Sequence, residues 1–454
     1  MKLSAADMQR ATGGCWHGQK PDNLNKVVTD TRAFQSGDAF LALRGPSFDG
    51  HTFAASVTDR AIALIGDHDG VKSWTGLDNS ILEVSDTLQA FGDIAHAWRM
   101  RLNDTTVIAI SGSYGKTSLR SILETGFLSL GLKVSATHAN LNNLIGVPQT
   151  LLAVPESADI AIIECGISET GEMSRLAAIV QPDIAILTGI TAAHADGLGG
   201  LAGVVREKAL LLEGADWCGL GAGVADLLEA NHIHLPAQSM AVDKGTADNV
   251  NWQLNGCELL LSNQQQQASI TLSLPAAHWA SNLAFAASIM LRHLNATDNG
   301  KVSLNDVTAA IASWQPPAGR LHSSVGKHEA VILDDCYNAN PVSMQAAIDT
   351  LCALDGNKVA ILGDMAELGD ASASAHAGLN ISGVDRVYLI GSRMRALAAT
   401  DKQAKWYAST DTALAALAHE SFTSNETVLI KASRSMGLEK VVQLLCTPEH
   451  AHAL

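Results

Sequence analysis

The sequence has no cluster of lysine or arginine and no cysteine pair spaced for a metal. Lys and Arg together number 30 against 46 Asp and Glu, which gives a formal net charge of −16. Nucleic-acid binders depend on clustered cations, so the composition argues against a nucleic-acid partner. The seven cysteines form no CxxC pair. Their odd number and scatter favour reduced thiols in a cytosol over a disulfide framework.

Long apolar runs are also missing, and none reaches the length of a membrane span. The first residues, MKLSAADMQRATGG, lack the basic start and apolar core of a signal peptide. These absences predict a soluble cytoplasmic protein without membrane insertion. The chain has 454 residues, of which 47% are hydrophobic. That length is too great for one typical core, so we expect two or three domains.

The hydrophobic pattern divides the chain into three α/β segments. Residues 1–84 read as a small mixed domain of short strands with Gly- and Asp-rich turns. Residues 85–314 alternate apolar strands with helices, which is typical of a mostly parallel sheet, and 250–275 interrupt them with antiparallel strands. WQPPAGR, at 314–320, is a hinge candidate. Residues 315–454 repeat the strand-then-turn pattern four times, in AVILDDCYNAN, KVAILGDM, RVYLIG and TVLIKAS, and read as a Rossmann-like domain.

The octet SGSYGKTS, at 111–118, follows the apolar run TTVIAI and precedes a predicted helix. Backbone N–H groups at such a helix start, together with the helix dipole, favour a phosphate. In this arrangement Lys116 neutralises the phosphates of a nucleotide and the Thr117 hydroxyl ligates Mg²⁺. The longer P-loop pattern places a glycine where this chain has Ile110. A structural turn that binds no nucleotide therefore stays the alternative interpretation.

Acids and a histidine follow the next strands. Glu164 ends the strand ADIAIIE, where doubly wound sheets bind their ligands, and His194 lies in a Gly-rich loop after the strand DIAIL. The competing interpretations are that Glu164 caps the next element and that His194 has a structural role. Lys208 lies on an amphipathic helix, where most lysines are solvated. Near the C-terminus, Lys431 and Arg434 suit either an anion or a surface salt bridge.

Seven motifs in this order resemble the Mur ligase family of peptidoglycan synthesis across essentially the whole chain. They are TDTRAFQSGDAFLALRGPSFDGHTF (29–53), SGSYGKTS (111–118), NLNNLIGVPQTLL (140–152), ECGISETGEM (164–173), GITAAHADGLG (189–199), DDCYNANPVSM (334–344) and GDMAELGD (363–370). The phosphate loop of that family has the short form G-x-x-G-K-T, so Ile110 is no defect. YNANP and GDMAELG resemble the branch that adds a dipeptide.

The resemblance implies a three-domain ATP-dependent ligase with a central P-loop-type domain. The first domain (1–84) would hold a UDP-sugar, the second (85–314) ATP, and the third (315–454) would close over both and bind the incoming dipeptide. The implied reaction joins D-alanyl-D-alanine to UDP-N-acetylmuramoyl-tripeptide through an acyl phosphate, with ATP and Mg²⁺ required. We expect a monomer.

The resemblance also implies roles for individual residues. His194 would help to hold a second Mg²⁺, and Lys208 would be carbamylated and support that metal, with Lys116 completing the catalytic set. The ATP-binding set would be Gly112, Ser113, Tyr114, Gly115, Lys116, Thr117, Ser118, Asn282, Arg320 and Asp335, and the metal set Thr117, Glu164, His194 and Lys208. The UDP-substrate set would be Thr31, Arg32, Asn140, Asn142 and Asn143, and the dipeptide side Asn338, Lys431, Ser433 and Arg434.

The chain departs from the family pattern at a few positions, and rival functions stay open. His278-Trp279 stands where the family has His-Asn, Tyr114 where a small polar residue is commoner, and Ala432 where glycine is commoner. The rivals are a sibling ligase that adds a diamino acid or glutamate, a folate-polyglutamylating relative, a P-loop NTPase switch, and an inactive homologue. The Asp-Asn-Pro-Arg motif of the diamino-acid sibling and the N-K-x-D pattern of GTPases are absent from the sequence.

Overall fold

The computed structural model describes residues 2–24, 26–45, 47–192, 195–243, 249–297, 302–401 and 403–447. The first part of the chain forms a mixed sheet of order β2-β9-β8-β5-β4, in which only the β2–β9 pair is antiparallel. The strands of this part of the chain are β1 (Leu3–Ser4), β2 (Cys15–His17), β3 (Asn23–Leu24), β4 (Val27–Val28), β5 (Ala39–Leu41), β6 (Arg44–Gly45), β7 (Phe48–Asp49), β8 (Ala63–Asp67) and β9 (Ile81–Val84), and its helices are α1 (Ala5–Thr12), α2 (His68–Lys72) and α3 (Thr87–Arg99). Strand β1 pairs with β3 and β6 with β7, in two separate two-stranded sheets.

The central sheet has the order β11-β12-β10-β13-β14-β15, and every pair in it is parallel. Helices cover both faces of such a sheet, so β12 and β13 are apolar and buried along nearly their whole length. Its elements are β10 (Thr106–Ser111), α4 (Lys116–Ser129), β11 (Val134–Ala136), α5 (Gly146–Ala153), β12 (Ile160–Glu164), α6 (Glu172–Val180), β13 (Ile184–Leu187), α7 (Ala195–Leu198), α8 (Gly200–Ala209), β14 (Trp217–Leu220), α9 (Val224–Ala230) and β15 (Ser239–Ala241).

A small antiparallel sheet follows, as the alternating pattern of residues 250–275 predicts. It consists of β16 (Asn251–Asn255), β17 (Glu258–Ser262) and β18 (Gln267–Thr271), and helices α10 (Ala277–Thr297) and α11 (Leu304–Ile311) come after it. Helix α10 is buried over most of its length because it packs on α4 and on the antiparallel sheet. It thereby places its first turn beside the phosphate loop.

The last part of the chain forms a sheet of order β19-β20-β24-β21-β22-β23, in which only β19 is antiparallel to its neighbour. The four predicted strands are all present, and β19 and β23 are two that the sequence pattern missed. The elements are β19 (His322–Val325), β20 (Val331–Asp335), α12 (Pro341–Cys352), β21 (Asn357–Gly363), α13 (Ser372–Ala377), β22 (Arg386–Ile390), α14 (Arg395–Ala398), β23 (Lys405–Tyr407), α15 (Thr410–Leu417), β24 (Glu426–Lys431) and α16 (Glu439–Leu445).

The expected α/β class with a central parallel sheet is confirmed. One cluster of buried apolar side chains includes Phe127 of α4, Ile289 of α10 and Met344 of α12, so the core continues from the central sheet into the last one. The boundaries 84 and 314 stay predictions. Among the described residues, no helix combines the length and the apolar character needed to cross a membrane.

Candidate active site

The phosphate loop connects β10 to α4, and two glycines shape it. Gly112 has φ +149°, and a Cβ there would lie 2.1 Å from Thr188 Oγ1. Gly115 has φ +82°, a left-handed conformation that side chains oppose. The Ser113 N–H donates to the Gly189 carbonyl at 2.6 Å, which fastens the loop to the end of β13. The loop is therefore a fixed cradle at the amino end of a helix, where phosphate binds well.

Lys116 is the first residue of α4, and its Nζ donates to the Gly112 carbonyl at 2.7 Å. The pKa of Lys116 is lowered to about 8, mainly by burial, with the charge of Glu164 opposing the shift and that of Arg320 adding to it. An anion bound in the loop would favour the charged ammonium again. The loop thus holds the Lys116 amine in a position where a bound anion would stabilise its charge.

Thr117 and Glu164 bring together a hydroxyl and a carboxylate that could serve as metal ligands. Register pairs Ile110 of β10 with Glu164 at the end of β12, and Thr117 Oγ1 donates to Glu164 Oε2 at 3.2 Å. Arg120, one turn further along α4, donates from Nε to Glu164 Oε1 at 2.9 Å, and the glutamate is only 1% exposed. Arg120 was not predicted as a site residue, although its position three residues after Thr117 places both on one helix face.

The donor set suits Mg²⁺. Hydroxyl and carboxylate oxygens are its preferred ligands, and it usually completes its shell with water and substrate phosphate. Among the described residues no group of three or more His, Cys, Asp or Glu could hold a metal alone. A bound Mg²⁺ would therefore depend on the nucleotide as well as on Thr117 and Glu164. The predicted ligand His194 lies outside the described residues.

Lys208, on α8, is 1% exposed, and it lines a cavity that Lys116, Thr117 and Arg320 also line. Burial lowers the pKa of Lys208 well below its ordinary value, and the charge of Lys116 adds to this effect. The neighbouring Glu207 does not pair with it, since its carboxylate accepts from the N–H groups of Gly171 at 2.7 Å and Met173 at 3.1 Å. Burial and the like charge of Lys116 thus favour the neutral form of the Lys208 amine.

The C-terminal domain supplies the opposite wall. Arg320 is the last residue of the predicted hinge segment, and its Nη2 lies 3.5 Å from Thr117 Oγ1. Its guanidinium lies over the Tyr337 ring, 4.3 Å from the centroid, and its buried Nε has no hydrogen-bond partner within the described structure. A buried donor without a partner is costly, so this guanidinium is prepared for an anion.

Asp335 and Lys431 form a buried ion pair on this wall. Lys431 Nζ lies 2.7 Å from Asp335 Oδ2 and donates to the Asn338 carbonyl at 2.9 Å. Burial lowers the pKa of Lys431, and the Asp335 charge opposes that shift. The two predicted ligand contacts therefore bind each other here, and the pair fixes the loop after β20 against β24.

Most of these groups line a cavity of about 450 Å³ between the central and C-terminal sheets, whereas Gly112 and Glu164 lie outside its lining. Its central wall comprises residues of the phosphate loop and α4 together with the ends of the neighbouring strands, and its other wall comprises the loop after β20 and the start of α12. The predicted site residues that line it are Ser113, Tyr114, Gly115, Lys116, Thr117, Ser118, Asn142, Asn143, Lys208, Asn282, Arg320, Asp335, Asn338 and Lys431.

Comparisons with known proteins agree with this geometry. Residues 110–290 match the Mur ligase middle domain, and residues 319–434 match the Mur ligase, glutamate ligase domain. The UDP-N-acetylmuramoyl-tripeptide–D-alanyl-D-alanine ligase of Escherichia coli (strain K12) is 32% identical over 438 residues, 93% of this chain and 94% of the relative. The chain belongs to the Mur ligase family.

Two further relatives support the family assignment over nearly the full length. The protein of the same description from Synechocystis sp. (strain PCC 6803) is 32% identical over 452 residues, which cover 93% of this chain and 92% of the relative. A crystal structure of MurF from Acinetobacter baumannii superposes with a TM-score of 0.84 at 29% identity, covering 97% of this chain and 98% of that one.

The departure from the Mur ligase pattern at Trp279 has a structural explanation. Trp279 is 2% exposed and packs edge-on against Trp314 at 5.6 Å, so it fills the core beside the hinge. The preceding His278 reaches the cavity, and burial lowers its pKa to about 4 while its Nδ1 stays unpartnered in the described structure. Asn282 Oδ1 lies 3.5 Å from where a Cβ of Gly115 would stand.

The predicted UDP-sugar residues are not all brought to this cavity. Asn142 and Asn143 line it, and Asn143 Oδ1 also caps α5 by accepting from the Gly146 N–H at 2.9 Å. Asn140 is exposed, and Thr31 and Arg32 lie on the first domain outside the cavity lining. Arg32 there pairs with Asp30 at 2.7 Å.

On the dipeptide side, Asn338 and Lys431 line the cavity, whereas Ser433 and Arg434 follow β24 just beyond the residues that line it. The motif GDMAELGD also lies outside this lining. Its Asp364 accepts from the N–H groups of Met394 at 2.8 Å and Arg393 at 3.2 Å, which makes it a loop anchor of the last domain.

Proposed function

We propose that this chain is the ATP-dependent ligase that joins D-alanyl-D-alanine to UDP-N-acetylmuramoyl-tripeptide in the synthesis of peptidoglycan precursors. The observation that carries the proposal is the anion cradle between the central and C-terminal sheets, where Lys116 bonds the Gly112 carbonyl, Thr117 bonds Glu164, and Arg320 reaches Thr117. The full-length likeness to ligases of that description supports the choice of substrates. We also propose a cytoplasmic location, where ATP and the soluble UDP-linked precursor are available.

The chemistry explains why a nucleotide site is needed. A carboxylate resists attack by an amine because its oxygen is a poor leaving group. In the first step a carboxylate oxygen of the tripeptide attacks the γ-phosphorus of ATP, ADP leaves, and an acyl phosphate forms. In the second step the dipeptide nitrogen attacks the acyl carbon, inorganic phosphate leaves with the oxygen that it received, and the nitrogen loses a proton.

The residues of this chain act mainly by position and charge. Carboxylate and triphosphate repel each other, so Lys116 and Arg320 would bring them together by neutralising their charge. Thr117 and Glu164 would hold Mg²⁺, which supplies Lewis-acid stabilisation of the phosphoryl oxygens. Arg120 holds the Glu164 carboxylate in place through its Nε hydrogen bond.

We propose further that Lys208 is carbamylated. A neutral amine adds to CO₂ and loses a proton, which forms a carbamate anion that attracts the Lys116 ammonium. The buried position and the strongly lowered pKa of Lys208 favour this reaction. The anion would support a second Mg²⁺, with His194 as the predicted partner ligand.

The other predicted contacts complete the proposal. Asn282 and Asp335 would bind the adenosine part of ATP, together with Gly112, Ser113, Tyr114, Gly115 and Ser118 at its phosphates. Thr31, Arg32, Asn140, Asn142 and Asn143 would contact the UDP-sugar, and Asn338, Lys431, Ser433 and Arg434 the dipeptide. Since Thr31 and Arg32 lie outside the cavity, their role requires the first domain to approach it.

Phosphate release from ATP and Mg²⁺ with UDP-N-acetylmuramoyl-tripeptide tests the proposal. D-Alanyl-D-alanine, glutamate and diaminopimelate are compared as acceptors. We expect release that depends on D-alanyl-D-alanine, with one amide formed per phosphate. Turnover with another acceptor would move the chain to a sibling activity, and release without any acceptor would leave only an NTPase.

A further inference from the structure

Tyr337 lies between two arginines that come from different parts of the C-terminal domain. The guanidinium carbon of Arg320 is 4.3 Å from the centroid of the Tyr337 ring, and that of Arg434 is 5.7 Å away. Both distances are within the range of a cation–π contact. The ring lines the ATP-side cavity. One aromatic side chain thus connects the phosphate side of the site to the segment after β24.

Arg434 differs from the other residues predicted to contact the dipeptide. Lys431 is paired with Asp335, and the Ser433 hydroxyl accepts from the Ala366 N–H at 2.8 Å. By contrast, the Arg434 side chain is 64% exposed, and its ion pair with Glu439 is long, at 4.0 Å. Among these residues, Arg434 therefore has the most donor capacity left for a ligand.

Arg320 also keeps donor capacity, since its buried Nε has no partner within the described structure. Two guanidinium groups on one ring repel each other unless anions approach them. A planar guanidinium binds a carboxylate or phosphate through paired hydrogen bonds, provided that its orientation is fixed. Contact with the Tyr337 ring restricts the positions of both guanidinium groups.

We propose that Tyr337 is a positioning residue that holds Arg320 toward the transferring phosphoryl group and Arg434 toward the terminal carboxylate of the incoming dipeptide. This inference rests on the proposed function, because it assigns the carboxylate end of the dipeptide to Arg434. It explains how one loop can align the phosphoryl and amine substrates on the same acyl carbon. The Tyr337 hydroxyl has no part in it.

Steady-state kinetics of Tyr337→Leu and Tyr337→Phe test the proposal. Leucine removes the ring and phenylalanine keeps it. For Tyr337→Leu we expect KM for D-alanyl-D-alanine to rise about tenfold, a factor in the range of a cation–π contact, with KM for the UDP-tripeptide unchanged. Tyr337→Phe should restore the wild-type KM. Trp406→Leu is the matched control, since it removes the Arg395 cation–π contact of 5.5 Å elsewhere in the same domain.

A double-mutant cycle decides whether Tyr337 acts through Arg434. Arg434→Ala should raise KM for the dipeptide, and adding Tyr337→Leu should then change it little. An unchanged KM in Tyr337→Leu, or a full additional effect in the Arg434→Ala background, would overturn the positioning role while the ligase assignment stands. If the wild-type protein shows no dipeptide-dependent turnover, the proposed function fails and this inference fails with it.

Discussion

Two buried lysines face the same cavity from opposite walls, and their surroundings differ. Lys431 is bonded to Asp335 at 2.7 Å, whereas burial and the like charge of Lys116 lower the pKa of Lys208, with Cys165 and Glu207 opposing that shift. A buried charge needs a partner, and burial without one favours the neutral amine. Lys431 therefore fastens the end of β24 to the end of β20 and the loop after it, while the Lys208 amine is not held by an ion pair of this kind. Equal burial does not mean an equal role.

The largest expected effect is on stability, at Lys431. Lys431→Met leaves the Asp335 carboxylate buried without its partner, and breaking a buried pair in this way costs about 3–5 kcal/mol of folding free energy. We expect a clearly lower midpoint of thermal or urea unfolding for the C-terminal domain. Lys440→Met, at an exposed position of α16, is the control and should unfold like the wild type. An unchanged unfolding midpoint in Lys431→Met would contradict the structural role of the Lys431–Asp335 pair.

Lys208→Met should show the opposite pattern. Methionine replaces a desolvated amine by an apolar side chain of similar length, so we expect the unfolding midpoint to stay or to rise. Loss of a group that supports a metal site typically lowers activity by about 10–100-fold. The carbamate itself should appear as a carbonyl signal in ¹³C NMR with labelled bicarbonate, in the wild type and not in Lys208→Met. A stable, fully active Lys208→Met without any change in that spectrum would contradict the assignment.

The lowered pKa of Lys116, about 8, predicts a pH-dependent affinity for nucleotide. The fold favours the neutral amine, so the free protein loses this proton as pH rises through about 8, and a triphosphate must then bring a proton with it. Affinity for a non-hydrolysable ATP analogue should fall by up to about tenfold per pH unit above that value. Calorimetric titration of the wild type and of Lys116→Arg with this analogue measures the pH dependence, which should be lost in the variant because arginine stays charged. The same slope in both would assign the pH dependence to another group.

The lowered pKa of Lys116 also makes the stability of the fold depend on pH. Between about pH 8 and the ordinary lysine value of 10.5, the unfolded chain binds more protons at Lys116 than the folded protein does. Folding free energy from this group therefore becomes more favourable as pH rises through that window.

The smallest stability effect is expected at Arg32, in the first domain. Its pair with Asp30 is exposed, and such pairs contribute little, so Arg32→Ala should leave the midpoint of unfolding nearly unchanged. If Arg32 contacts the UDP-sugar, KM for the UDP-tripeptide should nevertheless rise, with KM for ATP unchanged. Wild-type kinetics in Arg32→Ala would remove this residue from the substrate site.

Local patterns were sufficient to predict the sheets and the phosphate loop. The loop follows from glycines at a strand end and from the helix after it, and Glu164 follows from its place at the end of the adjacent parallel strand. Pairings across long sequence separations were not predictable. Nothing in the sequence indicates that Lys431 pairs with Asp335, that Arg120 holds Glu164, or that Trp279 packs on Trp314, because the fold decides which side chains meet.

The central claim is that the tripeptide carboxylate is activated as an acyl phosphate in the cavity between Lys116 and Arg320. Transfer of oxygen tests it most directly. UDP-N-acetylmuramoyl-tripeptide with ¹⁸O in its terminal carboxylate is converted with ATP, Mg²⁺ and D-alanyl-D-alanine, and the released phosphate is examined by mass spectrometry. The account predicts that each phosphate carries one labelled oxygen from the carboxylate. Phosphate without label, formed during amide synthesis, would contradict it.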